Sequence, residues 1–269
     1  MDALLQTGVA LITGAGSGIG QHISNVFAER GCKKLFLVDL SEKGLAATKK
    51  IIQATAPDAE VVLQITDISD EQAVHAMVDT CVTTFGRIDF ACNNAGVGTI
   101  SVRTADTTTE MFDKINRVNL RGAFLCEAAE SAQMLKQEPL PIHKDHRDVR
   151  GSIVHTCSLA GHTPIATLSA YSTSKHGVAS MVRVDARELA PHGIRVNAVM
   201  PGFVDTPMYR DSGLTPEFME AAAKQAPMNR MVDAREVAEA VVFLSGQQAS
   251  AITGAFLPVD NGAFLYRCL

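Results

Sequence analysis

The sequence lacks the features by which a protein usually contacts a membrane or a nucleic acid. No apolar run approaches the roughly 20 residues that a membrane-spanning helix needs. The formal net charge is -5 with a pI near 5.9, and the basic residues form no cluster. A surface for nucleic acid or anionic lipid would need such a cluster. We therefore expect neither nucleic acid nor a membrane as a partner.

Signals for disulfides, metal ligation and secretion are also missing. The cysteines show no C-x-x-C pair and no His at metal-ligand spacing, so we interpret them as reduced, mostly buried thiols and expect no metal site. The apolar residues 4–12 follow no basic leader and run into a glycine-rich turn, which predicts a strand rather than a signal peptide. We expect a cytoplasmic protein. The six cysteines are Cys32, Cys81, Cys92, Cys126, Cys157 and Cys268.

The chain does have the length and apolar content of a single α/β domain. Its 269 residues are 46% hydrophobic, enough for a sizeable core, and residues 1–269 are expected to form one catalytic domain. Short apolar runs of the buried-strand type alternate with helical patterns from residue 9 to residue 259. Successive β-α units of this length predict a doubly wound, mainly parallel sheet with right-handed crossovers. Predicted strands cover residues 9–13, 34–39, 61–65, 88–92, 151–157, 194–199 and 255–259.

A glycine-rich turn follows the first predicted strand. Residues 14–20 read G-A-G-S-G-I-G and lead into a helix that extends to Arg30. Glycines let the backbone approach a pyrophosphate closely, and a helix N-terminus offers it free amides and a partial positive charge. The strict spacing G-x-G-x-x-G is not met, and the pattern is T-G-x-x-x-G-x-G instead. The turn therefore indicates a dinucleotide-binding site whose glycine spacing differs from G-x-G-x-x-G.

Asp39 ends the second predicted strand, 19 residues beyond Gly20. That is close to the spacing at which an acid accepts a hydrogen bond from the adenosine ribose. A carboxylate there would repel a 2′-phosphate, and neither Leu40 nor the glycine turn offers a cation to offset the repulsion. The residue predicts NAD rather than NADP as cofactor. The alternative is that Asp39 is only a turn residue.

Tyr171 and Lys175 lie four residues apart in a segment that is predicted to be helical, so both project from one helix face. Bringing a phenol from a pKa of about 10 to near 7 needs roughly 4 kcal/mol, and a positive charge about 4 Å away supplies that order of energy. The alternative is an ordinary Tyr and Lys on a partly exposed helix. Ser158, 13 residues before Tyr171, follows an apolar strand where open α/β sheets bind ligands.

With these motifs the chain resembles the short-chain dehydrogenase/reductase family over essentially its whole length. The resemblance implies a Rossmann-type seven-stranded sheet with helices on both faces, often assembled as a homotetramer, and a place in secondary metabolism. The matching motifs occur in order along the chain: residues 13–20, Asp67, residues 93–96, Asn119, Ser158, Tyr171, Lys175, and Pro201-Gly202 with Thr206.

The resemblance also implies a role for each matching residue. Tyr171 would be the general acid/base toward the substrate oxygen, and Ser158 would hydrogen-bond that oxygen. Lys175 would hold the nicotinamide ribose and lower the Tyr171 pKa, while Asn119 would bind a water that links Lys175 to solvent. The implied cofactor-binding residues are Gly14, Ser17, Gly18, Ile19, Gly20, Asp39, Asp67, Ile68, Asn94, Ala95, Gly96, Tyr171, Lys175, Val204 and Thr206.

The chain departs from the family pattern at a few positions. His155 stands where the family usually has Asn, and we interpret it as a structural substitution. Cys157 replaces a Ser and is interpreted as a buried small residue, and residues 259–262 replace a double glycine. The segment 138–150 is longer than usual. Its His143 and His146 could suggest a metal site, but a solvated loop is the interpretation that we prefer.

The leading hypothesis is an NAD(H)-dependent oxidoreductase that interconverts a secondary alcohol and a ketone. Residues 97–100, 159–165 and 203–228 are predicted to line its substrate pocket. They are mainly apolar and carry no Arg cluster, so a hydrophobic substrate such as a steroid, terpenoid or polyketide is expected. The alternatives are an NADP(H)-dependent carbonyl reductase, which would differ at Asp39, and a regulator that senses nicotinamide without catalysis.

Overall fold

The computed structural model describes residues 3–140, 149–210 and 216–264. Its centre is one seven-stranded sheet in the order β3-β2-β1-β4-β5-β6-β7, and every neighbouring pair is parallel. This confirms the predicted Rossmann-type fold. The strands are β1 (Val9–Thr13), β2 (Lys34–Asp39), β3 (Glu60–Ile65), β4 (Phe90–Asn93), β5 (Gly151–Thr156), β6 (Ile194–Pro201) and β7 (Phe256–Val259).

Helices cover both faces of the sheet, as a doubly wound fold requires. Alternate strand residues feed two separate apolar clusters: Leu11 and Phe36 face one layer of helices, and Ile12 and Leu37 face the other. The helices are α1 (Ala3–Thr7), α2 (Gly18–Glu29), α3 (Glu42–Thr55), α4 (Glu71–Phe85), α5 (Thr109–Asn116), α6 (Ala123–Met134), α7 (Ser169–Leu189), α8 (Pro207–Arg210), α9 (Pro216–Lys224) and α10 (Ala234–Ser245). Helices α4, α6 and α7 belong to the first layer, and α2, α3 and α10 to the second.

The strand order creates a crevice at the carboxyl ends of β1 and β4. From β1 the chain moves outward to β2 and β3, and β4 then returns to the other side of β1. The loops that follow β1 and β4 therefore leave the sheet in opposite directions. This is the topological switch point at which open α/β sheets bind ligands.

Residues 4–12 do not form the single strand that the sequence predicted. Residues Ala3–Thr7 form α1, and β1 begins only at Val9. The amide of Gly8 donates to the carbonyl of Leu4 over 3.0 Å and so ends the helix. A Cβ at Gly8 would lie 2.5 Å from Cε2 of Phe90, so the chain needs a glycine to turn from α1 into the sheet. Apolar content alone could not distinguish a helix from a strand here.

Residues 107–137 have a long helical pattern in the sequence, but they form more than one element. These elements are α5, a π-helical turn (Arg117–Gly122) and α6. After α6 the amide of Leu140 donates to the carbonyl of Val149 over 2.9 Å, which brings together the two ends of the segment 138–150. His143 and His146 lie outside the described residues.

Candidate active site

A cavity of about 260 Å³ opens at the crevice and brings together most of the predicted site residues. It lies over the carboxyl ends of β1, β4, β5 and β6. Of the predicted residues, Gly20, Asp67, Ile68 and Asn119 are not among those that line it. The lining residues are Gly14, Ser17, Gly18, Ile19, Asp39, Asn94, Ala95, Gly96, Val97, Thr156, Cys157, Ser158, Tyr171, Lys175, Pro201, Gly202, Val204, Thr206, Pro207, Met208 and Tyr209.

The glycine turn forms one end of this cavity, between β1 and α2. Gly14 has a φ of +68°, a conformation that other residues rarely adopt. Helix α2 begins at Gly18, and the side chain of its N-cap residue, Ser17, makes no capping hydrogen bond. The first turn of α2 contains no acidic residue, so its free amides present positive potential without a competing carboxylate. This end suits a pyrophosphate.

Asp39 is held against the glycine turn by two backbone amides. Its Oδ2 accepts from the amide of Gly16 and its Oδ1 from the amide of Ser41, both over 2.9 Å. A Cβ on Gly16 would lie 2.8 Å from Cγ of Asp39, so the close approach depends on glycine. The carboxylate is thereby fixed at the cavity wall. An oriented carboxylate is the acceptor that a ribose diol requires.

The loop after β4 is anchored by two threonines that the sequence analysis did not single out. Oγ1 of Thr13 accepts from the amides of Asn94 and Ala95, over 3.1 and 3.2 Å. Oγ1 of Thr156 donates to Oδ1 of Asn94 over 3.1 Å. Both threonines end strands that flank β4, so their position at the carboxyl edge was the signal that could have identified them.

Ser158, Tyr171 and Lys175 converge on the cavity from β5 and α7. Ser158 follows β5, and its Oγ accepts from the amide of Ala160 over 3.1 Å. One helical turn separates Tyr171 from Lys175 on α7, and Lys175 Nζ lies 5.8 Å from the centroid of the Tyr171 ring. Nζ also donates to the carbonyl of Thr156 over 2.8 Å. A phenol, a hydroxyl and an ammonium therefore face one cavity.

The pKa values of this group differ from the sequence expectation. Burial raises the pKa of Tyr171 to about 12, although a hydrogen bond with Ser158 lowers it in part. Burial lowers the pKa of Lys175, because the interior disfavours its charge. The expected effect, in which the Lys175 ammonium lowers the pKa of Tyr171 toward about 7, is not present in this arrangement. The Lys175 ammonium is bound to the Thr156 carbonyl, and desolvation dominates at Tyr171.

Asn119 lies in the π-helical turn between α5 and α6, and its side chain binds the loop after β4. Its Oδ1 accepts from the amide of Val97 over 2.7 Å, and its Nδ2 donates to the carbonyl of Val97 over 2.9 Å. A Cβ on Gly96 would lie 3.1 Å from Asn119 Oδ1 and 4.0 Å from Lys175 Nζ. Asn119 and Lys175 therefore approach each other across Gly96.

Three predicted cofactor residues lie beside the cavity rather than in its wall. Asp67 follows β3, where its Oδ1 accepts from the amide of Ser69 over 2.9 Å. Ile68 is buried, and a Cβ on Gly122 would lie 2.9 Å from its Cδ1. At Gly20 a Cβ would collide with the carbonyl of Gly14, so this glycine allows α2 to pack against the turn.

The other end of the cavity is apolar and is formed partly by α8. Met208 and Tyr209 line it together with Val97. A Cβ on Gly98 would lie 3.2 Å from Cγ of Met208, so α8 contacts the loop after β4. The predicted lining by residues 159–165 is wrong for this cavity. Residues Leu159–Gly161 form a buried 3₁₀ turn, where a Cβ on Gly161 would lie 2.5 Å from Cys157 Sγ.

The described cysteines do not form a second reactive centre. Five cysteines (Cys32, Cys81, Cys92, Cys126 and Cys157) are buried and unpaired, while Cys268 lies outside the described residues. Burial raises the pKa of each of these five thiols, including Cys157 in the cavity wall, so they are poor nucleophiles. Within residues 3–140, 149–210 and 216–264, no cluster of His, Cys, Asp and Glu could hold a metal ion. No helix in these ranges has the length and hydropathy to span a membrane.

Comparison with known proteins agrees with this geometry. A family model described as enoyl-(acyl carrier protein) reductase matches residues 14–263. Levodione reductase of Leifsonia aquatica is 39% identical over 260 residues, which cover 94% of this chain and 93% of that protein. Short-chain dehydrogenases of several fungi match at lower identity over nearly the whole chain.

Solved structures agree in fold as well as in sequence. The crystal structure of levodione reductase superimposes with a TM-score of 0.90 and 36% identity, covering 97% of this chain and 98% of that one. Carveol dehydrogenase from Mycobacterium avium in complex with NAD has a TM-score of 0.85 and 28% identity, covering 96% of this chain and 98% of that one.

Proposed function

Because the chain belongs to the short-chain dehydrogenase/reductase family, we propose that it is an NAD(H)-dependent oxidoreductase that interconverts a hydrophobic secondary alcohol and its ketone. The observation that carries this proposal is the convergence of Ser158, Tyr171 and Lys175 on a cavity whose other end is the glycine turn with Asp39. A binding protein that only sensed nicotinamide would not need these three groups together.

The cavity fits a nicotinamide dinucleotide. The close approach of Gly16 to Asp39 leaves the carboxylate free to accept from the adenosine ribose, and the start of α2 can hold the pyrophosphate. When bound, NAD supplies the hydride acceptor and the positive charge of its oxidised ring. The residues that would hold it are Gly14, Ser17, Gly18, Ile19, Asp39, Asn94, Ala95, Gly96, Tyr171, Lys175, Val204 and Thr206.

Asp39 supports NAD rather than NADP as this cofactor. Lys175 is the one cationic side chain among the described residues that line the cavity. A 2′-phosphate beside Asp39 would therefore meet a fixed carboxylate without a neutralising charge from the cavity wall. The NAD-bound structure of carveol dehydrogenase is consistent with this preference.

Tyr171 is the group that exchanges a proton with the substrate oxygen in this proposal. With a pKa of about 12 the phenol is protonated at neutral pH, which is the form that donates to a ketone oxygen during reduction. Ser158 donates a second hydrogen bond to the same oxygen and stabilises the developing negative charge. Oxidation needs the phenolate, so it is favoured by high pH and by any added positive charge beside Tyr171.

The substrate is proposed to be apolar from the character of the cavity wall. Val97, Val204 and Met208 offer apolar surface near the reacting groups, and no Arg lines the cavity among the described residues. Similar proteins are named for levodione and carveol, so these two compounds are the first candidates to assay. We propose a steroid-, terpenoid- or polyketide-like substrate, as in secondary metabolism.

We further propose that the protein is a cytoplasmic homo-oligomer, with a tetramer as the expected assembly. Two large apolar side chains on neighbouring helices support an oligomer: Phe124 of α6 and Val184 of α7 are 54% and 50% exposed. Light scattering at micromolar concentration would measure the mass directly. A monomeric mass would contradict the proposed assembly.

The proposed activity can be tested by the absorbance of reduced nicotinamide. The purified protein is assayed with levodione, carveol, a steroid alcohol, a polyketide ketone and a small anionic hydroxy acid, each with NAD(H) and NADP(H). Turnover of at least one apolar compound, with the larger kcat/KM for NAD(H), is the expected result. Turnover confined to the anionic compound would contradict the apolar pocket, and no turnover of any compound would contradict the proposed reaction.

A further inference from the structure

Two carboxylates of α6 are buried against the ends of β4 and β5. Glu127 and Glu130 are 3% and 0% exposed, and their spacing places both on one face of the helix. Asn93 Nδ2 donates to Glu130 Oε2 over 2.7 Å, and His155 Nε2 lies 2.9 Å from Glu127 Oε2 in an ion-pair contact. Asn93 and His155 are register partners across β4 and β5. Helix α6 thus contacts β4 and β5 at two residues that are paired across the sheet.

These contacts are costly for the fold. Charged groups lose hydration when they are buried, and apolar residues of similar size often give a more stable protein. The four side chains are also incompletely paired: Asn93 Oδ1, Glu130 Oε1 and His155 Nδ1 have no hydrogen-bond partner among the described residues, and Glu127 meets His155 at an ion-pair distance without hydrogen-bond geometry. Buried polar atoms without partners are rare and call for a functional explanation.

The location of the four side chains supplies a functional explanation. Each strand residue immediately precedes a residue of the cavity wall: Asn94 follows Asn93, and Thr156 follows His155. The Thr156 carbonyl accepts the hydrogen bond from Lys175 Nζ, and the Thr156 hydroxyl donates to Asn94. The positions of His155 and Asn93 therefore determine where the floor of the cavity lies.

We propose that Glu127 and Glu130 are positioning residues for the proposed dehydrogenase reaction, on which this inference rests. Through His155 and Asn93 they hold the ends of β5 and β4. The strand ends in turn hold Thr156 and Asn94, and with them the ammonium of Lys175. His155 is then part of a network that supports the cavity wall.

Because the network contains ionisable groups, a positioning role predicts a pH dependence of activity that simple packing would not produce. Burial raises the pKa of Glu130 to about 7. Burial lowers the pKa of His155, but the charge of Glu127, its close contact with the ring and the charge of Glu130 together outweigh burial, so the net direction is upward. The Asn93–Glu130 bond is stronger with the carboxylate ionised than with it protonated. The other ionisable groups that interact with the network are Lys175 and Asp185 of α7, Cys126 of α6, Cys92 of β4 and Cys81 of α4.

The test compares the isosteric variant Glu130→Gln, and His155→Asn, with wild type. The kcat for reduction by NADH is measured from pH 6 to pH 9. The substrate is levodione, or whichever apolar compound of the panel gives the highest turnover. NADH affinity is measured separately by nicotinamide fluorescence, which the absence of tryptophan makes easy to read. Asp79→Asn is the control, because Asp79 is exposed on α4 and outside the network.

The expected result is a change in kcat and in its pH dependence, without a matching change in binding. Each variant should lose about 3- to 10-fold in kcat and shift the midpoint of the kcat profile, and because Asn94 and Lys175 also belong to the proposed cofactor site, NADH affinity should fall too, but by less than kcat. Asp79→Asn should keep the wild-type profile. Circular dichroism establishes that each variant is folded.

Other outcomes would overturn the proposal. Folded variants with the wild-type kcat profile would contradict the positioning role while leaving the proposed reaction intact. If Glu130→Gln does not fold, the pH profiles of kcat for His155→Asn and Glu127→Gln serve as the test instead. Failure of all three variants to fold would show that the network serves stability alone. Absence of turnover by the wild type would instead contradict the proposed function and the positioning role with it.

Discussion

At the scale of single residues, the environment of each side chain decides its chemistry more than its identity does. Tyr171 and Lys175 have the spacing that the sequence predicted, yet burial raises the pKa of the phenol and lowers that of the ammonium. Two backbone amides fix the orientation of the Asp39 carboxylate. The residues were predictable from motifs, whereas their protonation depends on desolvation that only the packed structure reveals.

Replacement of Asp39 by Ala should reverse part of the cofactor preference. The variant loses one charge-assisted hydrogen bond to the ribose, worth about 1.5 to 3 kcal/mol, so kcat/KM for NADH should fall roughly 10- to 150-fold. Use of NADPH should improve, because the carboxylate no longer repels its phosphate. Steady-state kinetics with both reduced cofactors measure the change. A wild-type protein that prefers NADPH would show that this position has been misinterpreted.

At the scale of elements, most boundaries follow from local pattern and the exceptions have identifiable causes. Strand β2 occurs where the sequence predicted it, because an apolar run marks its extent, and helices α3 and α10 begin at the capping residues Ser41 and Asp233. Helix α1 was missed because its apolar residues also fit a strand. The network around His155 and the anchoring role of Thr156 could not be predicted, since they join residues of β4, β5, α6 and α7 that are distant in sequence.

The glycine turn is the element in which one added methyl group should matter most. In Gly16→Ala the new Cβ would have to displace Asp39, whose Cγ lies 2.8 Å from that position. We expect NADH affinity to fall by about tenfold, the cost of losing one good hydrogen bond. Nicotinamide fluorescence measures the NADH affinity. Gly86→Asn is the matched control, because its Cβ would meet open space and Asn tolerates the left-handed backbone found there. Equal affinity for Gly16→Ala and Gly86→Asn would contradict the proposed contact.

At the scale of the whole molecule, buried ionisable groups should set the pH of greatest stability. Burial raises the pKa of Glu130 from 4.5 to about 7 and that of Asp185 from 3.8 to about 6. The folded state therefore holds protons that the unfolded state releases, and the free energy of unfolding falls as pH rises through this range. Arg235 and Arg230 lower the pKa values of Glu29 and Glu236 by hydrogen bonding, so these two pairs lose stability below pH 4.5. From these groups, stability should be greatest at about pH 4.5, below which the two ion pairs weaken and above which Glu130 and Asp185 cost stability.

Thermal unfolding of wild type and Glu130→Gln tests this pH dependence. The Gln side chain cannot ionise, so the variant should gain stability relative to wild type as the pH rises. We expect the difference in Tm between the two proteins to change by about 3 °C in favour of the variant from pH 5.5 to pH 8. A difference that does not change with pH would show that Glu130 keeps the same charge throughout.

The most direct test of the proposed reaction is the turnover of Tyr171→Phe. This variant keeps the ring and its packing and removes only the hydroxyl that exchanges the proton. We expect kcat to fall by roughly 10² to 10⁴-fold, the usual contribution of a general acid/base, while NADH affinity measured by fluorescence stays close to wild type. A folded Tyr171→Phe protein with wild-type turnover would contradict the role of Tyr171 and the mechanism built on it.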